Sequence, residues 1–317
     1  PEQSKKELMA MYQAMKEADA AYDAKQKSRS GMVGGNGQLF HDAVVSGKTI
    51  CGPVIASAIE KALKMGESNA CMKRIVAAPT AGACGVVPAV YLTLQEQRQI
   101  DDERMLEAMY IASGVGGVIA NRAFLAGAAG GCQAEIGSAS SMAAAGAVYL
   151  AGGDTEAIIH AAAMAMKNLL GLACDPVAGL VEVPCVKRNV VGAVNALSAA
   201  DMALAGVRSI IPPDEVFDAM RSVGISLPEA IRETGKGGLA ATTTGQKIAQ
   251  GLQHEESSPL QTTCQKLNFD RLFCRSIRRA HFIFVPFLCK CNCYAEFSPT
   301  LLFRYEAASY LRQQRLQ

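Results

Sequence analysis

The chain has no tryptophan, and aromatic residues make up only 6% of its 317 residues. No convincing run alternates apolar and polar side chains, so a sandwich or barrel of aromatic, β-branched strands is excluded as a reading. Strong charge of either sign is also missing. Before residue 251 there are 22 basic and 24 acidic side chains, which gives no electrostatic case for nucleic acid. No stretch has the apolar strength of a membrane span. Ile136 to Gly153 is uncharged, but it is mostly Ala, Gly and Ser, and Glu135 and Asp154 bound it closely. It reads as a buried helix, with no membrane partner. Eleven cysteines in a chain this long do not suggest a secreted disulfide scaffold. The opening PEQSKKELMAMYQAMKEADAAYDAK is charged and amphipathic rather than an export signal, so the expected location is the cytoplasm.

What remains is small and aliphatic. Half the residues are hydrophobic, chiefly Ala, Val, Leu, Ile and Met, and 29 are glycine. This suits close contact between helices. The fold class expected is mainly α: a single Ala/Gly-rich helical domain over 1–250 with glycine-rich loops. Residues 4–28 place Leu8, Met11, Tyr12, Met15 and Ala18 on one face. The loop SRSGMVGGNGQLF is too rich in glycine for a helix. Gly47-Lys48-Thr49 is not a phosphate loop, because Asp42 stands where glycine is required. Helices are expected from Pro53 to Met65, after Ala78-Pro79, and over 102–120, 134–152, 155–170, 187–207 and 213–222. Beyond residue 250 the pattern changes: seven of ten Phe and five of eleven Cys lie there, against one of 29 Gly. Residues 251–317 read as an atypical C-terminal extension. Its Cys289-x-Cys291-x-Cys293 suits either a metal or unpaired thiols, and no second ligand pair accompanies it.

Three cysteines of the body stand in turns between alanine-rich segments: Cys132 in GAAGGCQAEIGSASSMAAAG, Cys174 in GLACDPVAGL and Cys185 in VEVPCVKRNVVG. Two readings are open. Buried cysteine often serves as a small hydrophobe. Alternatively, three thiolates can hold an iron–sulfur cluster and leave one iron open as a Lewis acid. Around them, Glu135 follows Cys132 by three residues and is either a proton carrier or a helix-dipole partner. Arg188 suits a substrate carboxylate or a surface pair. Asn189 and Thr80 are candidate substrate hydrogen bonders, and Thr80 and Ser138 could equally be helix caps. His41 and His160 read as structural.

The segments SGKTICGP, AAPTAGACGVVPAVY, GAAGGCQAEIGSASSMAAAGAVYLAGG, MKNLLGLACDPVAGLVEVPCVKRN and RETGKGGLAATTTG resemble the alpha chain of bacterial iron–sulfur-dependent L-serine dehydratase over about 1–250. The resemblance implies a [4Fe–4S] cluster on Cys132, Cys174 and Cys185. It implies conversion of L-serine to pyruvate and ammonia without pyridoxal phosphate, and a separate beta chain that completes the substrate site. Threonine or another β-substituted amino acid stays open as substrate, as does a non-catalytic iron–sulfur redox or sensor role. The chain departs from the family pattern at Asn36 and Gln38, where Asp and Lys are usual, at Lys73 for Gly and at Thr243 for Pro. Cys84 is not counted among the ligands.

Overall fold

The computed structural model describes residues 2–256. Residues 257–317, with the Cys289-x-Cys291-x-Cys293 reading, lie outside the described residues. Among the described residues the chain is helical, without a β-ladder, as the composition predicts. In order the helices are α1 (Glu2–Ala20), α2 (Asn36–Val45), α3 (Pro53–Ala70), α4 (Val86–Arg98), α5 (Asp102–Arg122), the short α6 (Gly127–Gly130), α7 (Ser138–Leu150), α8 (Thr155–Lys167), α9 (Cys185–Leu204), α10 (Pro213–Ser226) and α11 (Thr243–Glu256).

The uncharged run forms the centre. In α7 every residue except Tyr149 is buried, and the helix packs against α4, α5, α8 and α9. A helix apolar all round must be enclosed by others, and its Ala, Ser and Gly let them come close. Gly146 is the tightest place: a Cβ there would sit 1.8 Å from the Tyr91 hydroxyl oxygen. No helix is long and apolar enough to cross a membrane among the described residues. Local signals set several boundaries. Asp101 and Asp154 accept from Arg104 N (2.8 Å) and Ala157 N (2.7 Å), capping α5 and α8. Pro53 and Pro213 open α3 and α10. A buried Lys61 on α3 meets Glu96 of α4 at 2.8 Å and Asp19 of α1 at 3.2 Å, tying three helices.

Three expectations need correction. The first helix stops at Ala20 rather than 28, because the next residues turn on Asp23, which accepts from Lys25 N at 3.0 Å. The glycine loop holds the start of a helix. Gly34 and Gly35 take φ of 133° and 83°, and α2 begins at Asn36 immediately after them. Glycine here marks a boundary rather than a helix-free stretch. The segment read as one helix over 134–152 begins as a π turn, Gln133–Gly137, before α7. Single π turns inside helices are frequent at functional sites.

Candidate functional site

Each of the three cysteines is placed by a buried amide, a short backbone bridge or a buried carboxylate. The turn carrying Cys132 is locked to the turn carrying Cys174 through Gln133, which is fully buried. Its backbone N donates to Leu172 O (3.1 Å), its Oε1 accepts from Gly171 N (2.9 Å), and its Nε2 donates to Met220 O (3.0 Å). Gly131, at φ 76°, permits this: a Cβ would lie 2.5 Å from Leu227 Cδ1 and 2.9 Å from Leu172 O. Cys174 is held from the other side by residues 231–233. Its N donates to Ile231 O (2.8 Å), and its O accepts from Glu233 N (2.7 Å). Cys185 opens α9 after a turn held by buried Glu182, which accepts from Ser28 Oγ at 2.7 Å and from Ser30 Oγ.

All three thiols are buried. Cys174 lies in hydrogen-bonding contact with Cys132, and that contact, burial and neighbouring negative charge push its thiol well above the usual range. Burial, with the charges of Cys132 and Glu135, pushes Cys185 up to about 12, while Arg188 opposes the rise. Among the described residues no three His, Cys, Asp or Glu side chains are arranged to share a single metal ion. Cys84 is buried too, but its thiol faces Met65 O at 3.7 Å and is pushed up to about 12 by burial.

The other candidates divide. Glu135 is close to the cysteines. Gly127 bears no side chain, and a Cβ there would lie 2.9 Å from both Cys174 Sγ and Glu135 Oε2. Burial first, and the charge of Glu233 second, raise the Glu135 carboxyl to about 7. Thr80 stands beside it and partly opposes that rise. The Thr80 hydroxyl is nonetheless buried without a hydrogen bond of acceptable geometry, and it caps nothing. Ser138 Oγ is likewise buried without a partner. Arg188 borders Cys132, and burial lowers its pKa less than the charges of Cys132 and Asp175 raise it. It already donates to Ala173 O (2.7 Å) and pairs with Asp175 (2.9 Å). Asn189 is spent on the fold. Its Nδ2 donates to Gly82 O (2.8 Å) and Cys185 O (3.0 Å), and its Oδ1 accepts from Gly85 N (2.7 Å). His41 and His160 contact Glu60 and Ser209 N. Reading the sequence missed Gln133, Asp175 and Glu233. The only available signal was their presence inside the GGCQAE, ACDPV and RETGKGG segments.

A family model described as serine dehydratase alpha chain matches residues 1–240. A probable L-serine dehydratase alpha chain of Bacillus subtilis (strain 168) is 53% identical over 221 residues, 70% of this chain and 74% of its own. One from Latilactobacillus sakei is 56% identical over 192 residues, 61% and 92% of the two chains. The L-serine dehydratase alpha chain of Peptoniphilus asaccharolyticus is 48% identical over 224 residues, 71% and 77%.

Proposed function

The chain belongs to the serine dehydratase alpha chain family, and from that premise we propose that it is the cluster-bearing subunit of an L-serine dehydratase, converting L-serine to pyruvate and ammonia beside a separate beta chain. The observation that carries the reading is the gathering of buried Cys132, Cys174 and Cys185 from three segments, with Cys174 against the bare backbone of Gly127. Three thiols without histidine are a soft donor set that suits an iron–sulfur cluster. A cluster also takes each thiolate on a different iron, so its ligands need not converge on one point as those of a single ion do. Cys132, Cys174 and Cys185 would hold a [4Fe–4S] cluster, which when bound supplies a Lewis-acidic iron for the C3 hydroxyl of serine.

The remaining groups are assigned from their surroundings. Arg188 offsets thiolate charge beside Cys132. It is also the proposed contact for the substrate carboxylate, sharing its planar fork with Asp175. Glu135, raised to about 7, is suited to hold or release a proton near neutral pH. Thr80 offers its hydroxyl to substrate, and Asn189 serves indirectly by fastening the 82–85 turn to α9.

The test is anaerobic reconstitution of the chain with iron and sulfide, followed by addition of the beta chain and assay of pyruvate from L-serine and of the corresponding keto acid from L-threonine. Pyruvate formation that depends on both cluster and beta chain is expected. A fully loaded cluster with no turnover of either amino acid would overturn the assignment in favour of a non-catalytic iron–sulfur protein.

A further inference from the structure

Two carboxylates meet where the loop after α10 crosses the cysteine segments. Glu233 is exposed and has a φ of 63°, the left-handed region that non-glycine residues rarely occupy. Such a conformation is strained and persists where surrounding structure enforces it. Here the enforcing structure is the bridge to Cys174, through Glu233 N to Cys174 O at 2.7 Å. Its result is a convergence. A single point, the place of an absent Cβ on Gly127, lies 2.9 Å from Glu135 Oε2, 3.3 Å from Glu233 Oε2 and 2.9 Å from Cys174 Sγ.

No lysine, arginine or histidine pairs with either carboxylate among the described residues. The charge of each carboxylate disfavours that of the other, and a cation held between them relieves both. A third polar group shares the space. Thr80 is 5% exposed and stands beside Glu135, and its hydroxyl makes no well-aligned hydrogen bond. The two carboxylates offer acceptors alone, and the Thr80 hydroxyl can accept as well as donate. A primary ammonium carries three donors and one positive charge.

We propose that Glu135 and Glu233, with the Thr80 hydroxyl, hold the α-ammonium group of the amino-acid substrate beside the cysteine centre. This deepens the serine dehydratase reading and rests on it. Exposed Glu233 forms the outer lip and half-buried Glu135 the inner wall, so the ammonium enters from solvent past Glu233. The pair then separates amino acids from hydroxy acids, a selection that Arg188, facing a carboxylate, does not make.

The experiment compares L-serine with 3-hydroxypropanoate, which keeps the hydroxyl and carboxylate but lacks the amine. Both are titrated anaerobically into the cluster-loaded chain with its beta chain, reading the paramagnetic resonance of the reduced cluster, alongside turnover of serine. Wild type is expected to bind serine at least tenfold more tightly than the deaminated analogue. Glu233→Gln, at an exposed position and nearly isosteric, should weaken serine by roughly ten- to a hundredfold, the range for one charge-assisted hydrogen bond. It should leave the analogue within about twofold, with the kinetic loss carried mainly by KM, and Glu233→Asp should recover part of it. Equal binding of the two ligands by wild type, or equal weakening of both in Glu233→Gln, would overturn the proposal. So would serine binding unchanged in that variant, with the wild-type holoenzyme active. A wild-type holoenzyme that neither responds to serine nor turns it over sinks the dehydratase reading and this one with it.

Discussion

Replacing Gly127 with alanine tests the geometry of the site without removing any polar group. The added methyl would stand 2.9 Å from Cys174 Sγ, 2.9 Å from Glu135 Oε2 and 3.3 Å from Glu233 Oε2. Ordinary non-bonded contact is about 3.5–4.0 Å, so the sulfur and the nearer carboxylate must retreat by roughly 0.6–1 Å. The carboxylates are ends of flexible side chains and can swing. The sulfur is less free, because the backbone of Cys174 is bonded on both sides to residues 231–233. Overpacking of this kind costs about 1–3 kcal/mol. For a body of this size that lowers Tm by roughly 2–12 °C and leaves the protein folded at room temperature. Function is more sensitive, since a displacement of about 1 Å at reacting groups can cost on the order of a hundredfold. Gly127→Ala should therefore melt cooperatively by circular dichroism, yet show kcat/KM for serine down by about ten- to a hundredfold after anaerobic reconstitution with the beta chain. Iron and sulfide measured per chain separate a lost cluster from a misplaced one. A variant with full cluster content and kcat/KM within about twofold of wild type would refute the convergence of Cys174, Glu135 and Glu233 over Gly127.

Gly146→Ala is the matching test of the core: its Cβ would meet Tyr91 Oη at 1.8 Å and Cζ at 2.5 Å, and Tyr91 is fully buried. A loss of about 2–4 kcal/mol and a Tm lower by roughly 5–15 °C are expected, partly recovered by Tyr91→Phe in the same chain; a higher Tm would show that helix propensity alone decides at this position. Single replacement of Cys132, Cys174 or Cys185 by serine should abolish the broad visible absorption of the reconstituted chain, whereas Cys84→Ser should keep it, and loss in the Cys84 variant alone would reject the assignment. Glu67, on α3, should make stability depend on acid. Burial raises its carboxyl, but hydrogen bonds from Tyr22 (2.6 Å), Asn36 and Gly37 outweigh burial and hold it below its ordinary value. A depressed carboxyl contributes stability that is present above the unfolded value of about 4.3 and lost as pH falls through the folded one. Urea midpoints should thus fall below about pH 4.3 more steeply in wild type than in Glu67→Gln, and parallel slopes would count against the role.

Much of the fold was legible because its signals are local. The Ala/Ser/Gly run of α7, the aspartate caps at 101 and 154 and the prolines at 53 and 213 each act within a turn or two of chain. What escaped depends on contacts across the sequence. The start of α2 is set by the Glu67 carboxylate, which accepts from the backbone N of Gly34 (3.2 Å), Asn36 (2.9 Å) and Gly37 (3.2 Å), and nothing in GGNG announces that distant acceptor. Cys132, Cys174 and Cys185 were picked out by their turns and by resemblance, but spacing could not say that they share one place. Arg188 was legible as a charge three residues after Cys185, and its prior engagement by Asp175 was not. Asn189 was read as a substrate contact, yet its three hydrogen bonds run to Gly82, Gly85 and Cys185. Glu233 had no signal beyond a glycine-rich neighbourhood, since its approach to Glu135 comes from one left-handed residue whose backbone N donates to a cysteine far earlier in the chain.

The N-terminal loop matters to a centre whose ligands it does not supply. Ser28 and Ser30 donate to Glu182, three residues before Cys185, while the 34–37 backbone closes on Glu67 of α3, the helix packed along α9. The loop therefore fastens the turn of the third cysteine to the helix that supports it. Asn36 fits this task chemically. Its Nδ2 donates to Glu67 Oε1 at 2.5 Å, whereas an aspartate at this position would set a second carboxylate against the first. With asparagine the buried Glu67 gains a donor, one of the hydrogen bonds that hold its carboxyl below the ordinary value. The Asn36 amide thus adds to the bond between loop and helix, and through them to the placement of Cys185.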